Sequence, residues 1–184
     1  MSPTATQLDR TRIKELTERE EEKLNSRTQK SKEMFERASE HLSGGVASSY
    51  QLREPWPIYM ERGSGPMVWD VDGNEMYDFH NGFGSMVQGH ANPAIGKVVQ
   101  ARYEQGTHFA APTEDAIVVG DELARRWDIP KWRYTNSGSE ATMDAIRIAR
   151  GFTGRDDVMK IFGSYHGHHD TVMVSIGVEY DKIG

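Results

Sequence analysis

Apolar residues are sparse at the start of the chain and denser after residue 65. Over residues 8–41 the only regular apolar positions are Leu8, Ile13, Leu16, Leu24, Met34, Phe35, Ala38 and Leu42, with a block charged all round at 18–23, EREEEK. The pattern predicts one long helix over 8–41, either solvated or lying across a partner subunit. Gly44 and Gly45 end it, as glycines at helix C-termini do, and residues 46–57 read as an extended, proline-bounded loop. Met67, Trp69 and Val71 alternate with polar neighbours, Asp72-Gly73 follows, then Met76, Tyr77 and Phe79, which predicts a hairpin.

The stretch 78–90, DFHNGFGSMVQGH, is a glycine-punctuated loop. Helices are predicted over 94–105, opened by Pro93, and over 113–127, with Ile117, Val118, Leu123 and Ala124 on the buried side. A short strand at 133–135 leads into a helix that begins at a Ser137-x-x-Glu140 capping box. Ile146, Ala149 and Phe152, with Met143 and Ala145 nearby, line one side of that helix, and Gly151 and Gly154 close it. A strand over 157–162, a loop over 164–170 and an apolar strand or helix start over 171–176 complete the pattern. Strand, helix and strand alternate from about residue 131, so the fold class is α/β with parallel pairing. The elements group as a helical segment 1–43, strands with a loop at 44–92, and an α/β segment at 93–184.

Composition narrows the function. At 36% apolar and 27% charged, with no long apolar run, the chain reads as soluble, without a membrane span or a secretory leader. With no cysteine there is no disulfide framework and no thiolate chemistry, so the cytoplasm is the expected compartment. A net charge of -6 argues against nucleic acid as the main partner.

Two segments carry chemistry. At 136–140, NSGSE, a helix start presents unpaired N–H groups and the positive end of a dipole, and Gly138 lets an anion approach. Ser137 and Ser139 add hydroxyls, so the segment suits a phosphate; an ordinary capped helix is the alternative. At 165–170, YHGHHD, Tyr165 can stack on a planar ligand and His166 can bond to it. A surface loop and a metal cluster are the other readings, although the spacing matches no helical zinc signature. Phe83, between two glycines, can face a ligand or pack over the core. Ser48 and Ser49 can meet a substrate or cap a turn.

Four segments together, LSGGVASS (42–49), DVDGNEMYDFHNGFGSMVQGHANP (70–93), YTNSGSEATMDAIRIAR (134–150) and FTGRDDVMKIFGSYHGHHD (152–170), resemble the class III aminotransferases of the pyridoxal-phosphate fold-type I superfamily. The likeness covers about residues 41–175 and is strongest to the glutamate-1-semialdehyde aminomutase and β-amino-acid aminotransferase group. It implies the N-terminal part of that fold: the helical segment, the small-domain hairpin and the first half of the large domain. It implies pyridoxal 5'-phosphate as cofactor, with Ser137, Gly138 and Ser139 on the phosphate, Tyr165 on the ring and His166 beside it. Ser139 stands where threonine is commonest and keeps the hydroxyl. Ser48 and Phe83 are the implied substrate contacts. Phe83 stands where the aminomutases often have tryptophan, which counts against glutamate-1-semialdehyde itself as substrate. His90 falls in a structural turn and is assigned no chemistry.

Neither Lys160 nor Lys182 matches the Schiff-base lysine of the family, and no catalytic residue and no metal ligand is assigned in this chain. The resemblance therefore implies amino-group transfer between a small-molecule amino donor and acceptor, with the lysine in a second segment or chain, and a homodimer or a complex with a chain carrying the C-terminal half. A non-catalytic partner that holds cofactor or dimer is the alternative. A nucleotide-binding protein lacks the glycine-loop patterns that reading needs, and a histidine-cluster metal hydrolase has equally little behind it.

Overall fold

The computed structural model describes residues 9–176, which fall into two compact units that divide after residue 108. In the first unit, the single helix expected over 8–41 is two: α1, Arg10–Ser26, and α2, Gln29–Ser39. Asp9 caps α1 by accepting from the Arg12 N–H at 2.9 Å. No residue of α1 is buried, and side-chain pairs such as Lys14–Glu18 run along it. The break at Arg27-Thr28 has a tertiary cause. The Thr28 hydroxyl turns back to donate to the Leu24 carbonyl at 3.0 Å and accepts from the Trp56 indole N–H at 3.0 Å. The new helix start is then capped from 40 residues away. Asp72 accepts from the Lys30 N–H at 2.7 Å and from the Ser31 N–H and hydroxyl at 3.1 and 2.9 Å. A run of good helix formers is thus interrupted because a distant carboxylate satisfies the first N–H groups of α2.

Asp72 belongs to the predicted hairpin, which is present as β2, Met67–Asp70, and β3, Glu75–Tyr77, paired Met67↔Tyr77 and Trp69↔Glu75. Phe79, expected in the second strand, lies beyond it and is exposed. Asp70, buried, holds the turn by accepting from the Asp72 and Asn74 N–H groups at 3.0 and 2.7 Å. A third strand, β1, Met60–Ser64, pairs antiparallel with β2 on its other side. Its residues, MERGS, show no apolar alternation; the ladder to β2 holds it, and Arg62 stacks over the Trp69 ring at 3.6 Å from the centroid. The centre of this unit is polar: Thr28, Ser31 and Asp70 are buried, with Thr28 bonded to Leu24 and Trp56, Ser31 to Asp72 and Tyr59, and Asp70 to Asp72 and Asn74. Helix α3, Pro93–Tyr103, begins where Asn92 caps it through the Ala94 N–H, as Pro93 foretold.

The second unit has α4, Glu114–Trp127, α5, Gly138–Thr153, and a single turn α6, Asp170–Met173. Glu114 and Asp115 sit at the start of α4 and Arg125 and Arg126 at its end, each matching the helix dipole. The sequence expectations fail here in two ways. Residues 133–135 and 157–162 are not strands, because neither forms a hydrogen-bonded ladder among the described residues, so the expected parallel pairing is absent there. Ile117 and Val118, expected on the buried side of α4, are exposed, while Leu123 and Ala124 are half-buried; Phe152 on α5 is exposed as well. Amphipathic spacing shows that a helix has a face to bury, but these three side chains remain exposed in this unit. Val172 is the one buried apolar side chain among the described residues of this unit. No described helix is long and apolar enough to cross a membrane.

Candidate active site

The site starts from the first turn of α5. Ser137 is extended (φ -152°, ψ 161°) and its hydroxyl accepts from the Glu140 N–H at 3.2 Å. The reciprocal half of the expected capping box lands one residue early: the Glu140 carboxylate accepts from the Asn136 N–H at 2.6 Å rather than from Ser137. The N–H groups of Gly138 and Ser139 consequently have no partner among the described residues and project from the positive end of a helix 16 residues long. A side chain built on Gly138 would meet nothing within 4 Å, so the approach to these N–H groups is open.

The loop 164–170 is fastened to this same turn. The His168 N–H donates to the Ser139 hydroxyl at 2.8 Å, and the Thr142 hydroxyl donates to the His166 carbonyl at 2.7 Å. The His169 ring Nε2 lies 3.2 Å from the same Thr142 oxygen. Gly167 makes the seating possible. Its φ is +115°, and a Cβ there would stand 2.9 Å from the Ser139 Cα and 2.9 Å from the Thr142 Oγ1. Tyr165 and His166 are thereby carried to the residues that begin α5. Tyr165 is exposed, and the His166 ring Nε2 is held 3.0 Å from the Ser164 hydroxyl. Gly167, His168 and Thr142 position this site and were not singled out from the sequence. The glycine inside YHGHHD was the available signal, since a glycine between bulky residues marks a positive φ or a close approach.

Hydroxyl groups have one proton and two lone pairs. Ser139 and Ser137 each spend a lone pair on a backbone N–H, which leaves their protons for a ligand. A donor set of two N–H groups and two hydroxyls at a helix start suits an anion, and the loop fastened to it carries the exposed Tyr165. Among the described residues, no three histidine, aspartate or glutamate side chains converge as metal ligands. Lys160 is engaged elsewhere, its ammonium donating to the Val172 and Val174 carbonyls at 2.9 and 2.6 Å. Lys182 lies outside the described residues.

Ser48 and Phe83 are in the first unit, on neighbouring turns. Ser48 caps the turn Ser49–Gln51 in a two-way capping box, its N–H donating to the Gln51 carboxamide oxygen at 3.2 Å. Tyr50 from that turn meets Phe83 edge-on at 5.3 Å, and His80 meets Phe83 from another side at 4.2 Å. Phe83 is exposed and has φ +55°. His90 bonds through Nε2 to Asp78 at 2.7 Å. The Asn81 N–H and the His90 ring hold the Asp78 carboxyl below its ordinary range, with partial burial opposing them.

The profile of the family described as Aminotransferase class-III matches residues 49–182. The glutamate-1-semialdehyde 2,1-aminomutase of Methanocaldococcus jannaschii is 44% identical over 149 residues, covering 80% of this chain and 35% of that protein. A solved structure described as a transaminase with PLP bound superposes with a TM-score of 0.77 at 38% identity, over 80% of this chain and 35% of that one. The glutamate-1-semialdehyde aminomutase structure from Pseudomonas aeruginosa superposes with a TM-score of 0.85 at 29% identity, over 96% of this chain and 42% of that one. The chain thus spans about a third of the length of the curated relatives it matches. These likenesses bear out the α/β class and the fold-type I architecture expected from the motifs. The chain belongs to the class-III aminotransferases.

Proposed function

We propose that this chain supplies the phosphate-binding and ring-contacting half of a pyridoxal 5'-phosphate site for amino-group transfer. The observation that supports it most is the fastening of the Tyr165–His169 loop to the first turn of α5 through Ser139, Thr142 and Gly167. It joins a helix start with N–H groups unpaired among the described residues to a loop that carries an exposed aromatic side chain. Bound there, the cofactor supplies an electron sink for the carbon that bears the amino group.

The chain's own residues bind and orient. The Gly138 and Ser139 N–H groups and the Ser137 and Ser139 hydroxyl protons hold the phosphate, with the α5 dipole favouring its charge. Tyr165 lies against the ring and fixes its plane. His166, anchored on Ser164, sets the edge. Ser48 and Phe83 face the substrate, a small amino donor or acceptor, in either a transaminase or an aminomutase. Proton movement at the substrate carbon needs a basic amine. Lys160 is committed to two carbonyls, so the reading assigns that role to a lysine of a second segment or chain, in a homodimer or a complex of unlike chains in the cytosol.

Borohydride reduction of the native, cofactor-saturated protein followed by peptide mass spectrometry tests this. The expected result is a pyridoxyl group on a lysine outside residues 1–184. A pyridoxyl group on Lys160 contradicts the assignment. Cofactor that binds with no lysine labelled replaces it with a non-catalytic holder.

A further inference from the structure

The loop 78–90 contains four successive residues with positive φ: Asn81 (+52°), Gly82 (+53°), Phe83 (+55°) and Gly84 (+93°). Two of the four carry side chains that disfavour this conformation. Such a run persists only where its surroundings impose it. Asp78 and His90 are those surroundings. One carboxylate oxygen of Asp78 accepts from the His80 and Asn81 N–H groups at 2.9 and 2.8 Å, at the start of the run. The other meets the His90 Nε2 at 2.7 Å, at the end of the loop. His90 is in turn fixed to the β1–β2 turn by two backbone bonds with Gly65, at 2.9 and 2.8 Å. Its ring lies over Gly63, where an added Cβ would stand 2.5 Å from it. The Asp78 N–H donates to the Pro66 carbonyl at 2.8 Å, so both ends of the loop rest on one turn. What the closed loop presents is the Phe83 ring, touched by Tyr50 and His80 and otherwise exposed.

We propose that Asp78 and His90 are positioning residues: their contact locks the Asn81–Gly84 run and so fixes the Phe83 ring as a contact for an apolar, aryl-bearing amine. This rests on the reading of Phe83 as a substrate contact. The three rings Tyr50, His80 and Phe83 offer edges and faces and include no lysine or arginine, so they suit an aromatic substituent.

The test uses the full holoprotein, with benzylamine as probe, and two readouts. Amide hydrogen exchange at His80, Asn81 and Met86 rises roughly tenfold or more in Asp78→Ala and His90→Ala, and returns towards wild type in His90→Gln, which keeps a donor. Calorimetric affinity for benzylamine falls roughly tenfold in Asp78→Ala and is recovered in His90→Gln. In a Phe83→Ala background the Asp78→Ala change adds nothing further, as a residue acting through Phe83 requires. Unchanged exchange overturns the clamp. An affinity loss that is the same with and without Phe83 overturns its action through that ring. A wild type that binds no benzylamine, or a Phe83→Ala variant that binds it equally well, overturns the parent assignment of Phe83, and the exchange result then decides the clamp alone.

Discussion

Gly167→Ala is the substitution that most directly disconnects the loop of Tyr165 and His166 from the first turn of α5, and so tests the proposed cofactor site. The added Cβ meets the backbone of Ser139 at 2.9 Å, an atom that cannot swing aside, and the residue is held at φ +115°. The chain has two responses. If the loop stays seated, the positive φ costs about 1–3 kcal/mol. If it lifts, it forfeits the bonds from His168 to Ser139 and from Thr142 to His166, which together are worth about 1–3 kcal/mol. Either route gives the same range, so affinity for pyridoxal 5'-phosphate should fall by roughly fivefold to 150-fold. Titration of the apoprotein, followed by cofactor absorbance, measures this. Gly151→Ala is the control, since Gly151 lies within α5 with nothing within 4 Å of an added Cβ. That variant should bind as wild type does and be about 0.5–1 kcal/mol more stable, as alanine is favoured in helices. Equal cofactor affinity in the two variants would refute the coupling between loop and helix.

Three further expectations concern other parts of the chain. Tyr165→Ala should weaken cofactor binding by about 1 kcal/mol or more through lost stacking, read by the same titration; Tyr165→Phe should retain it, and unchanged affinity in the alanine variant sinks the stacking role. Ser139→Thr, which keeps the hydroxyl, should bind cofactor normally, whereas Ser139→Ala should lose roughly tenfold, because the phosphate and the His168 N–H both lose a partner; equal loss in both variants counts against a role for the hydroxyl. Asp72→Ala should destabilise the first unit by about 2–4 kcal/mol in denaturant unfolding at pH 7, as α2 loses its cap and the Ser31 hydroxyl loses its acceptor. Partial burial raises the Asp72 pKa, but the Lys30 and Ser31 donors outweigh it and the net shift is downward from 3.8. The wild-type advantage is therefore complete above that value and disappears as pH falls through the lower folded-state pKa. An advantage that grows in acid contradicts the cap.

Local chemistry was legible in the sequence wherever a short stretch sufficed. The Asp72-Gly73 hairpin, the Pro93 helix start, the Ser137 cap and the Gly154 stop all stand where the residues put them. The failures share a cause, which is information held by distant residues. The break before α2 depends on Asp72, over 40 residues away, and β1 exists because β2 offers it an edge. Residues 133–135 and 157–162 have strand-like composition but no ladder among the described residues, and pairing cannot be read from one segment alone. The site divides in the same way. The residues proposed to face a ligand stood out as motifs, but the Ser139–His168 and Thr142–His166 bonds that join the two motifs are tertiary, and only the glycine at 167 hinted at them.

The central claim is that the start of α5 binds the phosphate of a pyridoxal cofactor. The most direct measurement compares the affinity of the native protein, with any copurifying chain, for pyridoxal 5'-phosphate and for unphosphorylated pyridoxal. A preference of roughly tenfold or more for the phosphorylated form, lost in Ser139→Ala, is the predicted result. Equal affinity for the two, or a preference that Ser139→Ala leaves intact, contradicts the claim.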